Sequence, residues 1–249
     1  MQKRKFLLGV IITLVVAFLG FRIFQQETIA DFIRPLLLPL VTIFYWISGF
    51  KKTSYFFFFL LIYSIAEFVG LFYYYMPATD LVDNLMYFGC NLLYILAYIF
   101  LIMEVMRTLP VAETFNRFAI HIIILLILDV YCIMLVSDVA IKSESLVTIY
   151  DHALEIVYNA VIMVLLTITL INYLARDSKK AMNLLLGSLC IVFSEVIQVA
   201  YFYVSEINIL GIVYIVLLVL AFCFFYMQAS MSYNQEEPLF DHSVNEIEV

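Results

Sequence analysis

Three carboxylates occur where carboxylates are costly. Glu67 lies in Tyr63-Ser-Ile-Ala-Glu67-Phe-Val-Gly70, Asp129 in Leu125-Leu-Ile-Leu-Asp129-Val-Tyr131, and Glu195 in Ile191-Val-Phe-Ser194-Glu195-Val-Ile-Gln198. Apolar residues flank each on both sides. An ionisable group deep in a bilayer costs roughly 2.5–3.5 kcal/mol on insertion scales, so such a group faces the interior of a helix bundle. Carboxyls held there have three uses. They do acid–base chemistry on a membrane substrate, they pass protons or ions through a carrier, or they tie helices together by hydrogen bonds.

The spacing of their neighbours favours a shared layer. Tyr87, Asn91, Tyr94 and Tyr98 recur at i, i+4, i+7 and i+11, which is one face of a helix, while Ser64 with Glu67 and Glu195 with Gln198 are i, i+3 pairs. Counting from the nearest basic anchor, Lys52 precedes Glu67 by 15 residues, Arg117 precedes Asp129 by 12 and Lys180 precedes Glu195 by 15. At about 1.5 Å per residue all three acids sit roughly 18–23 Å from that anchor. Asn91 and Asn159, counted back from Arg107 and Arg176, fall near the same height. The expectation is a single polar layer across a bundle.

Other chemistry is not signalled. His121, His152 and His242 lie at helix ends or in the tail, away from that layer, so no histidine metal centre is expected. Cys90, Cys132, Cys190 and Cys223 sit inside apolar runs without C-x-x-C spacing, and read as small core residues. Gly-rich phosphate loops and G-x-S-x-G elbows are absent, and no cofactor is expected. The 13 basic residues are scattered in small groups and form no basic face, which argues against nucleic acid as a partner.

The elements that must position these residues are membrane helices. The chain of 249 residues is 65% hydrophobic and 13% charged, against about 45–50% and about 25% in soluble domains. A span needs about 20 apolar residues. Apolar runs predict helices near 6–24, 33–50, 54–76, 84–106, 118–137, 153–175, 181–204 and 208–229. The fold class is therefore all-α, an integral membrane bundle of about eight transmembrane helices over 1–232. Residues 233–249 carry five acids and no Lys or Arg, and read as a disordered acidic tail. The run after Gln2-Lys-Arg-Lys5 is about 18 residues long and lacks an A-x-A site, so it reads as an uncleaved first helix.

Basic residues fix the expected orientation. Lys3, Arg4, Lys5, Lys51, Lys52, Arg107, Arg117, Arg176, Lys179 and Lys180 fall on one side, and Arg22, Arg34 and Lys142 on the other. The positive-inside rule then puts both termini in the cytoplasm of a cell whose plasma or inner membrane holds the bundle. Arg34, Pro35 and Pro39 interrupt the second run, where a kink or re-entrant segment would invert everything after it.

At these residues the chain resembles the YhhN family, the bacterial and animal membrane proteins that include lysoplasmalogenases. That family shows K-P-L-x-x-P-L, S-x-x-G-D, H-x-x-Y-I and F-x-x-S-D elements. Here the corresponding stretches read Arg34-Pro-Leu-Leu-Leu-Pro-Leu40, Ser64-Ile-Ala-Glu67, Asn91-Leu-Leu-Tyr94-Ile95 and Phe193-Ser194-Glu195. Their order and the eight-span layout agree over nearly the whole chain. Both family aspartates stand as glutamates, and the histidine stands as Asn91.

The resemblance implies hydrolysis of the vinyl ether of a lysoplasmalogen or related lysophospholipid. An acid protonates the enol-ether carbon, and water captures the resulting oxocarbenium ion. That requires one protonated carboxyl and one ionised carboxylate. The resemblance gives these roles to Glu67 and Glu195, with Asn91, Tyr94, Ser64 and Ser194 orienting substrate or water and Asp129 as polar support. Arg34 would hold a head-group phosphate at the outer interface, or snorkel to the lipid phosphates. The same polar layer would also serve a transporter or proton-coupled carrier, or a non-catalytic scaffold. An enzyme requires Glu67, Asn91 and Glu195 to converge on one closed-ended cavity, whereas a carrier requires a path to both faces.

Overall fold

Inside a bilayer no water can satisfy backbone N–H and C=O groups, so each segment must satisfy its own. The chain answers with helices. A computed structural model describes residues 2–49, 52–73, 75–77, 79–142, 148–205 and 207–232, with the side chains of 2–5, 27 and 31 outside the description. The fold is 89% helical and has no strand among the described residues. Its helices are α1 (Gln2–Ile23), α2 (Glu27–Ile47), α3 (Ser54–Tyr73), α4 (Asp80–Thr108), α5 (Val111–Arg117), α6 (Ala119–Ile141), α7 (Ile149–Arg176), α8 (Lys179–Tyr203) and α9 (Asn208–Ala229). All but α5 are long and apolar enough to cross a membrane, which makes eight candidate spans. The acidic tail expected at 233–249 lies outside the described residues, as do Lys51 and the side chains of Lys3, Arg4 and Lys5.

Several helices begin earlier than the apolar runs suggest, because polar side chains cap them. Thr148 accepts from the Asp151 N–H at 3.2 Å while the Asp151 carboxylate accepts from the Thr148 N–H at 2.8 Å, a reciprocal capping box that starts α7 at Ile149 rather than near 153. Thr79 caps α4 through the Val82 N–H, so this helix starts at Asp80 rather than near 84. Ser178 caps α8, following Asp177 at φ 42°, the left-handed residue that turns the chain after α7. α2 starts at Glu27 and runs unbroken through Pro35 and Pro39. The connection expected between Arg107 and Arg117 contains α5.

Helices adjacent in sequence pack together from α1 to α4. The chain then passes through α6, and α7 packs beside α4; α8 and α9 follow, and α9 returns to α1. α6 lies outside this circuit against α7 and α8. Its Ile120, Ile123, Ile124 and Ile127 are exposed, a face suited to lipid. The centre is aromatic. Phe59 of α3 stacks on Phe222 of α9 with centroids 5.8 Å apart and meets Phe225 edge-on at 5.6 Å. Phe225 fits because Gly187 of α8 has no side chain; a Cβ there would overlap the Phe225 ring.

Candidate functional site

α2 and α3 bring the first charged pair together. Arg34 donates from Nη2 to Glu67 Oε1 at 3.2 Å, and its Nε stands 3.1 Å from Oε2. The guanidinium lies along the carboxylate, and the Glu67 side chain is only 5% exposed. α4 supplies a third member, since the Tyr94 hydroxyl donates to Glu67 Oε1 at 3.0 Å. Below this group, Thr42 and Ser64 clamp α2 to α3: their hydroxyls are 3.0 Å apart, and both donate to the Leu60 carbonyl.

The pair borders a cleft. Between α1, α2 and α9 lies a space of about 320 Å³ lined by Val15, Leu38, Val41, Leu218, Val219 and Phe222 among other apolar residues, with Arg34 and Glu67 in its wall. Its lining is almost wholly apolar, a chemistry suited to an apolar ligand.

Glu195 stands elsewhere. Its Oε1 accepts from the Tyr98 hydroxyl at 2.9 Å, and the Tyr158 ring packs edge-on against Tyr98 beside it. It lines a cavity of about 20 Å³ between α6, α7 and α8 together with Cys132, Asn159 and Met163. What joins the two acids is tyrosine. Tyr63 of α3 packs edge-on against Tyr98, ring centroids 5.9 Å apart, and against Tyr94 at 4.8 Å. Tyr98 in turn meets Tyr158 at 6.2 Å. The order across the bundle is Glu67, Tyr94, Tyr63, Tyr98, Glu195.

The expected single layer thus resolves into separate clusters, and the convergence of Glu67, Asn91 and Glu195 on one cavity, expected of an enzyme, is not found: Glu67 and Glu195 line different cavities and Asn91 lines neither. Asp129 accepts from Thr167 at 2.7 Å and ties α6 to α7. Asn159 donates to Glu155 Oε1 and to the Ser137 hydroxyl, both at 3.1 Å, a second tie between the same helices. Asn91, expected to orient substrate, donates to the Tyr87 carbonyl of its own helix at 2.8 Å. Ser194 donates to the Tyr214 carbonyl at 2.7 Å and joins α8 to α9. Arg34, expected to reach phosphate, instead faces Glu67. The physical reason is local: a guanidinium on a membrane helix is offered a buried carboxylate one helix away, and each charge offsets the other.

Sequence reasoning named Tyr94 and Tyr98 but passed over Tyr63 and Tyr158, which complete the cluster. Tyr63 carried a usable signal, one helical turn before Glu67 at i, i+4. Among the described residues no group of three or more His, Cys, Asp or Glu is arranged to hold a metal ion. Compared with family models, curated proteins and solved structures, the chain matches none.

Proposed function

We propose that this chain is a membrane-embedded lysolipid hydrolase that cleaves the vinyl ether of lysoplasmalogens, the activity implied by its resemblance to the YhhN family. The observation that carries the reading is a buried carboxylate, Glu67, set by Arg34 and Tyr94 at the wall of an apolar cleft. The cleft takes the hydrocarbon tail, and the enol ether comes to rest against Glu67. The Arg34–Glu67 pair is neutral as a unit, so the charged head group stays at the membrane interface.

The chemistry then divides between the two acids. The Tyr94 hydroxyl, which rests on Glu67 Oε1, gives its proton to the enol-ether carbon. The phenolate left behind is reprotonated from Glu195 when the Tyr63 and Tyr98 hydroxyls, in ring contact between them, turn to carry the proton across. Glu67 faces the oxocarbenium ion and stabilises it electrostatically. Water adds to the cation and releases one proton, and the hemiacetal collapses to a fatty aldehyde and a glycerophospho-base. One water is consumed, and the proton released resets the donor.

A second reading, a proton-coupled carrier, draws on one observation: Glu67 and Glu195 open to different cavities. Incubating purified protein with lysoplasmalogen and with ester lysophospholipids separates the two. The hydrolase reading expects aldehyde from the ether lipid, no fatty acid from the ester lipids, and loss of at least about 100-fold in Glu67→Gln. No turnover of any lipid would leave the carrier. In either case the positive-inside count supports both termini in the cytoplasm.

A further inference from the structure

The hydrolase reading leaves open how Glu195, deep among tyrosines, exchanges protons with water. The cleft beside Glu67 is apolar and would be filled by lipid tail during turnover. A second route begins on the far side of Glu195. Glu195 and Asn159 line the same cavity of about 20 Å³, a volume that admits a single water. Asn159 donates to Glu155 Oε1 at 3.1 Å, one turn nearer the start of α7. Glu155 stands one turn from Asp151, the residue that caps that helix end. The Tyr87 hydroxyl of α4 is buried without a hydrogen-bond partner among the described residues and couples electrostatically to Glu155, Asp151 and Tyr203. A buried hydroxyl without a partner is one that an ordered water would satisfy.

The geometry points to a proton path from the aqueous phase at the start of α7, by way of the Glu155 carboxyl and one water in the α6–α7–α8 cavity that the Asn159 amide orients without itself passing the proton, to Glu195. The proposal rests on the hydrolase reading for its purpose, which is to recharge the proton donor while lipid fills the cleft. Its geometry stands without that reading. The other titratable groups facing Glu195 are Tyr98 of α4, Tyr158 of α7, Tyr63 of α3 and, at longer range, Arg34 of α2; Cys132 of α6 shares its cavity, and Tyr214 of α9 couples to Arg34 instead. The tyrosines lead from Glu195 toward the cleft. Only the Asn159 side leads toward Glu155.

The test needs no substrate, so its failure is separable from failure of the hydrolase reading. Purified full-length protein is subjected to a rapid pH jump, and the infrared band of the protonated Glu195 carboxyl, identified by its loss in Glu195→Gln, is followed in time. Asn159→Leu, which fills the cavity, and Glu155→Gln are expected to slow the response at least about ten-fold. Tyr94→Phe, on the cleft side, is expected to leave the rate unchanged. Glu155→Gln is nearly isosteric and serves if Asn159→Leu fails to fold. The path is overturned if Tyr94→Phe slows the response and the α7 variants do not, if no variant changes it, or if the Glu195 band does not respond to pH.

Discussion

Arg34 and Glu67 each depend on the other for a tolerable position in the bundle. Removing one partner of a buried ion pair leaves an uncompensated charge, a loss of about 3–5 kcal/mol, whereas replacing both by apolar residues of similar volume is often neutral. Arg34→Met is therefore expected to lower unfolding stability in detergent by about 3 kcal/mol, and Arg34→Met with Glu67→Met to recover most of it. A purely interfacial Arg34 would show neither effect. Asp129 offers a contrast, because its partner is Thr167 and not a member of the Glu67 site. Asp129→Asn is expected to leave aldehyde release within about two-fold of the parent while lowering stability by about 1 kcal/mol. The three acids were legible in the sequence because an acid among apolar residues is costly wherever the chain puts it. Their partners were not. Arg34 meets Glu67 across 33 residues, and Tyr98 meets Glu195 across 97, separations at which no local period carries information.

The α8–α9 interface turns on a single absent side chain. Gly187 faces Phe225, which is fully buried and held by Phe59 and Phe222, so the ring has little freedom to yield. Gly187→Val is expected to destabilise the bundle by about 1–3 kcal/mol through overpacking, measured by thermal unfolding, and adding Phe225→Leu should restore part of that loss. At this scale the sequence was most informative. Apolar runs located every spanning helix, because about 20 residues without charge have few other uses. The starts of α4 and α7 were set four residues late, since Thr79 and Thr148 sit in polar connections where hydropathy is low and only the cap chemistry speaks. The Thr148-x-x-Asp151 pattern was present and would have corrected α7. α5 escaped notice because seven residues, all exposed but Thr114, are too few to show a period.

Which helices become neighbours was not written in any local pattern. The predicted common height of the acids did not bring them into contact, because height along the membrane normal says nothing of position around the bundle. The tyrosine cluster fills the distance between them. The whole-molecule topology remains testable from the chain's charges. With eight helices crossing, Thr53 and Asp177 share one face and Thr79 and Ser205 the other, and the positive-inside count predicts that the first face is cytoplasmic. Single cysteines at these positions, in a cysteine-free background on intact cells, should react with an impermeant maleimide only at 79 and 205. The central claim is that one lipid tail lies between α1, α2 and α9 with its reactive bond against Glu67. It is tested most directly by irradiating the protein with a lysolipid carrying a diazirine near the end of its chain and mapping the labelled peptides. The account predicts label on the cleft faces of α2 and α9, around Leu38, Val219 and Phe222, and its loss in Val219→Trp, which fills the cleft. Label spread evenly over the exposed face of α6 and unchanged in Val219→Trp would contradict it.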